Sequence, residues 1–186
     1  MRRVLALLLL LINPIERLDG YVQQTVQHLR APALEPPMRT VSNLGKPAVV
    51  SGALLAIALL DAANGVATAR NALLVLVPVN LAVELIKRTV NRERPDGEHK
   101  RSNASFPSSH AANAFALALV FARRWRRWAP LFWLGAATIG FSRIYLNRHY
   151  LSDVVVGALI GLALAWITTR WIAPRSGLRP PGTSRP

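Results

Sequence analysis

Along the 186 residues, apolar positions gather in long runs, separated by short polar clusters that are mostly basic. Five runs stand out: 46–60, 68–86, 110–128, 129–146 and 150–171. A helix rises about 1.5 Å per residue, so the last of these reaches across a hydrocarbon core of about 30 Å. The third spans only if the arginines at its end extend their head groups to the interface. Charge-poor runs alternating with basic clusters predict an all-α fold, a polytopic transmembrane helical bundle. Small residues recur within the runs. Gly157 and Gly161 are four apart in "GALIGLALAW", a spacing that permits close helix packing without naming the partner.

The two ends read differently. "MRRVLALLLLLINP" places nine apolar residues, 4–12, behind two arginines. That is short for a span and resembles the start of a signal peptide, but no small-x-small cleavage pattern follows. We read it as an uncleaved helix that continues past Pro14 into "IERLDGYVQQTVQHL", a stretch that also suits an amphipathic helix at the interface. The expected count is six spans, or five if the first twelve residues do not cross. The expected organisation is an N-terminal helical or interfacial segment (1–45), a core of five helices (46–172), and a basic tail (173–186). The tail is rich in Pro, Gly and Arg and is expected to be disordered.

Composition narrows the partners. Hydrophobic residues make up 52% and charged residues 17%, and their segregation is what separates this chain from a soluble domain. The net charge of +14 comes from 23 Lys+Arg against 9 Asp+Glu, but the arginines form clusters between apolar runs, not a continuous stripe. The expected partner is therefore a bilayer with anionic lipid and not nucleic acid. With no cysteine, disulfides and thiolate metal sites are excluded.

The clusters also predict a topology. "RRWRR" (123–127) has no acidic residue, and Arg170, Arg175, Arg179 and Arg185 follow an even number of spans later. The positive-inside rule assigns both, and the C-terminus, to the cytoplasm. Segment 87–109 and the loop around His149 then share the opposite face. That segment is basic too, with six Lys+Arg against three Asp+Glu, so the asymmetry between the faces is modest.

Three polar stretches meet on that second face. In "KRTVNRERP" (87–95), Lys87 and Arg94 are seven apart, within about 20° of each other on a helix. Two cations aimed alike can cradle a phosphate, although juxtamembrane charge alone also accounts for them. In "SFPSSH" (105–110), Ser108 and Ser109 precede His110 and an apolar helix, which makes either an anion site or a plain N-cap. In "SRIYLNRHYLSD" (142–153), His149 and Asp153 are four apart, so the carboxylate can hold the ring and leave its other nitrogen free. Arg143 lies about 240° from His149 on a continuous helix, so the two converge only if the chain turns between them. No bland account places two histidines, one carboxylate, three cations and two serines together.

These residues resemble the three signature motifs of the type 2 phosphatidic acid phosphatase superfamily, which also includes vanadium haloperoxidases. The motifs read K-x6-R-P at Lys87, Arg94 and Pro95, P-S-x-H at Pro107, Ser108 and His110, and S-R-x5-H-x3-D at Ser142, Arg143, His149 and Asp153. Ser109 stands where the commonest form has glycine. The resemblance covers about residues 46–172. It implies an integral-membrane phosphatase acting on lipid phosphate monoesters or diphosphates without metal or cofactor. It implies catalytic roles for His149 (nucleophile), His110 (acid, then base) and Asp153 (ring orientation). Lys87, Arg94, Ser108, Ser109 and Arg143 are the implied phosphate binders. Polyprenyl diphosphate, phosphatidic acid and phosphatidylglycerophosphate are the implied substrate class, and a bacterial inner membrane with the site outside the cytoplasm is the implied setting. The alternatives are a non-catalytic lipid-phosphate-binding protein and a vanadate-dependent peroxidase.

Overall fold

A computed structural model describes residues 2–98 and 104–172, and the expected tail at 173–186 lies outside the described residues. Each apolar run forms a helix, and no strand occurs among the described residues. The helices are α1 (Arg2–His28), α2 (Glu35–Leu44), α3 (Pro47–Leu60), α4 (Gly65–Val90), α5 (Ser109–Arg124), α6 (Ala129–Tyr145) and α7 (Leu151–Ile172). α1 runs through Pro14 as one helix. Gly45 and Lys46 separate α2 from α3, and the pair is bent by 60° there, where Pro47 opens the next helix.

Among the described residues, two helices are long and apolar enough to cross a bilayer, α4 and α7, or three elements if the bent α2–α3 pair counts as one. α5 and α6 have 16 and 17 residues, about 24 and 26 Å of helix. Outward faces carry exposed Leu59, Leu81, Leu85, Leu134 and Leu159, side chains that suit lipid and not water.

α5 is the central helix. Its alanines at 112 and 116, with Leu117 and Val120, meet Val75, Val79 and Val83 of α4 and Ala165 of α7. On another side Ala114 and Ala118 meet Ala136 of α6. The pair Gly157 and Gly161 turns to α5. A Cβ at 157 would stand 2.5 Å from the Ser108 carbonyl oxygen, and one at 161 would stand 2.1 Å from that of Ala112. Only glycine lets α7 approach the backbone of α5 so closely, and this crossing sets the "SFPSSH" segment beside the first turn of α7.

The N-terminal segment is part of this bundle. The stripe Asp19, Gln23 and Gln27, at successive intervals of four on α1, faces inward, whereas Ile15, Leu18 and Tyr21 are exposed. The exposed side is mixed, with Glu16, Arg17 and Gln24 beside the apolar residues, while Val22 and Val26 join the polar stripe in packing against the bundle.

Candidate functional site

A cavity of about 880 Å³ opens at one end of the bundle, and its wall includes Lys87, Arg94, Ser109, His110, Arg143 and His149. The opposite end carries the Arg124–Asp61 ion pair (3.1 Å) between the α5–α6 and α3–α4 turns. Six of the eight residues singled out in the sequence therefore line one cavity. Ser108 and Asp153 lie behind it, both fully buried.

Two residues with left-handed backbone bring the cations together. Asn91, at φ 46°, ends α4 three residues before Arg94, so Arg94 lies on the following loop. The expected seven-residue helical face for Lys87 and Arg94 is thereby corrected: a left-handed cap, not helix periodicity, brings both to the cavity. Asparagine tolerates this conformation better than other side chains. Asn147, at φ 61°, folds the chain after α6 so that the Arg148 and His149 amides both donate to the Arg143 carbonyl (2.9 and 3.2 Å). This is the turn that convergence of Arg143 with His149 requires.

Each cation is oriented by a defined partner. Lys87 Nζ donates to the Ala104 carbonyl at 2.9 Å. Arg94 Nη1 lies 3.4 Å from the Arg148 carbonyl. Arg143 Nη1 donates to Ser42 Oγ of α2 at 2.5 Å, and its buried Nε has no protein partner among the described residues. His110 is similar, because its buried Nε2 also has none. Against its ring sits Gly45, where a Cβ would come within 2.6 Å of His110 Cδ2. Ser108 accepts the Ala111 amide as N-cap of α5, at 3.5 Å, and its own amide donates to the Asp153 carbonyl. Glu84 pairs with Arg88 (2.9 Å), and Asn80 and Asn113 exchange reciprocal amide hydrogen bonds of 3.1 Å between α4 and α5.

His149 is 2% exposed, and its Nδ1 lies 2.8 Å from the Ser105 carbonyl oxygen. A carbonyl only accepts, so Nδ1 carries the proton and Nε2 keeps its lone pair. Asp153 Oδ2 is 3.7 Å from the same nitrogen, beyond hydrogen-bond length. The direct bond expected from the i, i+4 spacing is replaced by an indirect one. Ser105 Oγ donates to Asp153 Oδ2 at 2.5 Å while the Ser105 carbonyl holds the ring. Burial pushes the His149 imidazole below its usual pKa. Arg143 and Arg94 repel its proton in the same direction, and the Asp153 carboxylate opposes them.

Sequence reasoning missed Ser105, Arg92, Asp19, Ser42 and Gly45. Arg92 Nη1 donates to Asp153 Oδ1 and Nη2 to Asp19 Oδ2, both at 2.8 Å. Signals existed for three of them. Ser105 opens the 105–110 stretch, Arg92 lies inside the first motif, and Asp19 begins the polar stripe of α1. Nothing in the sequence ties Ser42 or Gly45 to Arg143 or His110. His28 is exposed, and His99 lies outside the described residues.

The sequence model of the PAP2 superfamily matches residues 68–176. The chain belongs to this superfamily. Among curated relatives, it is 42% identical over 66 residues to the lipid A 4'-phosphatase of Bacteroides thetaiotaomicron, covering 33% of this chain and 28% of that one. It is 39% identical over 89 residues to the decaprenylphosphoryl-5-phosphoribose phosphatase of Mycobacterium tuberculosis, covering 45% and 49%. The chain thus spans half or less of the length of these relatives. The crystal structure of Aquifex aeolicus LpxE superimposes with a TM-score of 0.71 at 26% identity, over 81% of this chain and 93% of that one. With its two bilayer-length apolar helices and this kinship, the PAP2 chain is an integral membrane protein.

Proposed function

We propose that this PAP2 protein is a lipid phosphate phosphatase that hydrolyses monoesters or diphosphates through a phosphohistidine on His149, without metal. The observation that carries the reading is the 2.8 Å contact of His149 Nδ1 with the Ser105 carbonyl oxygen. The Nδ1–H is committed to that carbonyl, so a lone pair remains on Nε2 of a residue lining a cavity with Lys87, Arg94 and Arg143. Nε2 attacks phosphorus in line, and the bond to the lipid oxygen breaks. His110 protonates that oxygen, then takes a proton from the water that cleaves the phosphohistidine and releases phosphate. Lys87, Arg94 and Arg143 neutralise the equatorial oxygens, with the Ser109 amide at the N-terminus of α5, which Ser108 fixes. Asp153 stabilises the imidazolium through Ser105.

The substrate reading rests on charge and kinship. Four further cations line the cavity, Arg30, Arg39, Lys46 and Arg148. Arg30 and Arg39 share Glu35, and Arg148 pairs with Asp96 and Glu98, while Lys46 makes no ion pair among the described residues. Four cations against three carboxylates leave one positive charge beyond Lys87, Arg94 and Arg143, and this supports a head group with more than one phosphoryl, as in a polyprenyl diphosphate or a related lipid phosphate. The relatives' names, a lipid A phosphatase and a decaprenyl-linked phosphoribose phosphatase, support the same class.

For topology we adopt six crossings: α1, α3, α4, α5, α6 and α7, with α2 at the surface beside the cavity. The cavity then opens outside the cytoplasm of a bacterial inner membrane, with Arg123–Arg127 and the C-terminus inside. The scissile bond then lies at the membrane surface, where the lipid's head group is. The test is phosphate release by detergent-purified protein from a panel of lipid monophosphates and diphosphates, in EDTA, beside His149→Ala. Release by the wild type that the variant loses is expected. Release that requires added metal would refute the mechanism, and lipid binding without any release would point to a binding protein.

A further inference from the structure

A buried carboxylate far from the three motifs, Asp19, is linked through Arg92 to the site described above. We propose that Asp19 of α1, acting through Arg92, is a positioning residue for Asp153, Ser105 and His149, so that the N-terminal helix is a working part of the reaction centre. This rests on the reading of His149 as nucleophile.

The geometry is continuous from α1 to the imidazole. Asp19 is 2% exposed, and its carboxylate receives three kinds of donor. The Ser152 amide reaches Oδ1 at 2.8 Å, and the Ser152 hydroxyl reaches Oδ2 at 2.5 Å. Arg92 Nη2 reaches Oδ2 at 2.8 Å. The other amino group of Arg92, Nη1, donates to Asp153 Oδ1 and to Ser152 Oγ, both at 2.8 Å. Its guanidinium also lies over the Tyr150 ring, 4.2 Å from the centroid. Arg92 is thus clamped between two buried carboxylates, one on α1 and one on α7.

That clamp determines which way Asp153 faces. With Oδ1 taken by Arg92, Oδ2 is left for the Ser105 hydroxyl at 2.5 Å and the Tyr150 amide at 2.9 Å. Ser105 in turn holds His149 Nδ1 through its carbonyl. Asp19 also caps the first turn of α7 from outside that helix, because the Ser152 amide is one of the donors a helix leaves unpaired at its start. Removing Asp19 frees one end of the guanidinium and loosens the turn that carries Asp153.

A structural role alone is a poor account of this arrangement. Two buried carboxylates share one guanidinium, and apolar contacts would fasten α1 to the bundle at lower desolvation cost. Apolar contacts are in fact present: Val22 and Val26 of α1 pack against Ala111, Ile144 and Val154. Lys87 and Arg143 are oriented by other groups, the Ala104 carbonyl and Ser42 Oγ, so a positional effect of Asp19 is expected in the chemical step and not in substrate binding.

The experiment uses the full chain in detergent, with Asp19→Asn, Arg92→Lys and the double variant, all checked for a single monodisperse species. Asp19→Asn is expected to lower kcat about tenfold to a hundredfold, the scale at which small misplacements act. KM should stay within about threefold. The double variant should lose no more than the worse single one, because both act on the same link. Asp19→Asn with kcat within about threefold of wild type, a loss appearing in KM, or additive losses would each overturn the proposal. If Asp19→Asn does not fold, Ser152→Ala removes only the hydroxyl shared by Asp19 and Arg92, and its kcat decides by the same criteria. A folded but inactive wild type would refute the phosphatase reading itself. An active wild type with an equally active Asp19→Asn refutes the coupling alone.

Discussion

Gly45→Ala isolates the placement of His110 from the folding of the chain. Gly45 ends α2 at φ −83° and ψ 0°, a conformation open to any L-residue, so alanine adds no backbone strain. The added Cβ meets His110 Cδ2 at 2.6 Å, whereas an ordinary contact begins at 3.4 Å. The difference, 3.4 minus 2.6, is 0.8 Å, so the ring must move by roughly that much. Because it is the end of a side chain, it can move with little loss of stability. Misplacement of a reacting group by about 1 Å costs on the order of a hundredfold in rate. Gly45→Ala should therefore lower kcat between tenfold and a hundredfold, with the thermal midpoint in detergent nearly unchanged. The assay is phosphate release under saturating lipid, with Gly52→Ala as control, since a Cβ there meets nothing within 4 Å. A kcat within about threefold of wild type would show that His110 does not need its present position. A collapse of the thermal midpoint would show that the glycine serves packing instead.

Other expectations follow from the same contacts. Gly161→Ala places a Cβ 2.1 Å from the Ala112 carbonyl oxygen, which is backbone and cannot step aside, so α5 and α7 must separate. A loss of about 1–3 kcal/mol is expected, read from thermal unfolding in detergent, and an unchanged midpoint would refute the close crossing. Ser42→Ala removes the hydroxyl that accepts from Arg143 Nη1, and should raise KM several-fold with a smaller change in kcat; a pure kcat effect would contradict a binding role for Arg143. The lowered pKa of His149 means that the folded protein holds its proton less tightly than a free imidazole, so the neutral nucleophile persists to lower pH. The acid limb of kcat/KM, corrected for ionisation of the lipid phosphate, should fall below about pH 6.5, and a limb above it would count against His149.

The apolar runs and the three motifs carry much of this protein on their face. Helices at 47–60, 65–90, 109–124, 129–145 and 151–172 follow from periods and lengths that are local properties of the chain. So does the identity of the cations and histidines, because residue types and spacings are all that a motif contains. Which groups actually touch was decided by packing. The spacing of His149 and Asp153 allowed a direct bond, yet the carbonyl of Ser105, 44 residues earlier, takes the ring nitrogen. Lys87 and Arg94 were placed on one helix by their interval of seven, but Asn91 ends α4 between them. Asp19, Ser42 and Gly45 reach the site from α1 and from α2 with its C-terminal cap, segments whose own sequence shows only an apolar stretch and some polar residues. Their roles come from the packing of α2 against α6 and from the inward turn of the polar stripe on α1. Such contacts join residues 44 to 133 positions apart in the chain. A local pattern has no term for them, because the partner of a side chain is fixed by how the helices pack and not by what lies next to it in sequence.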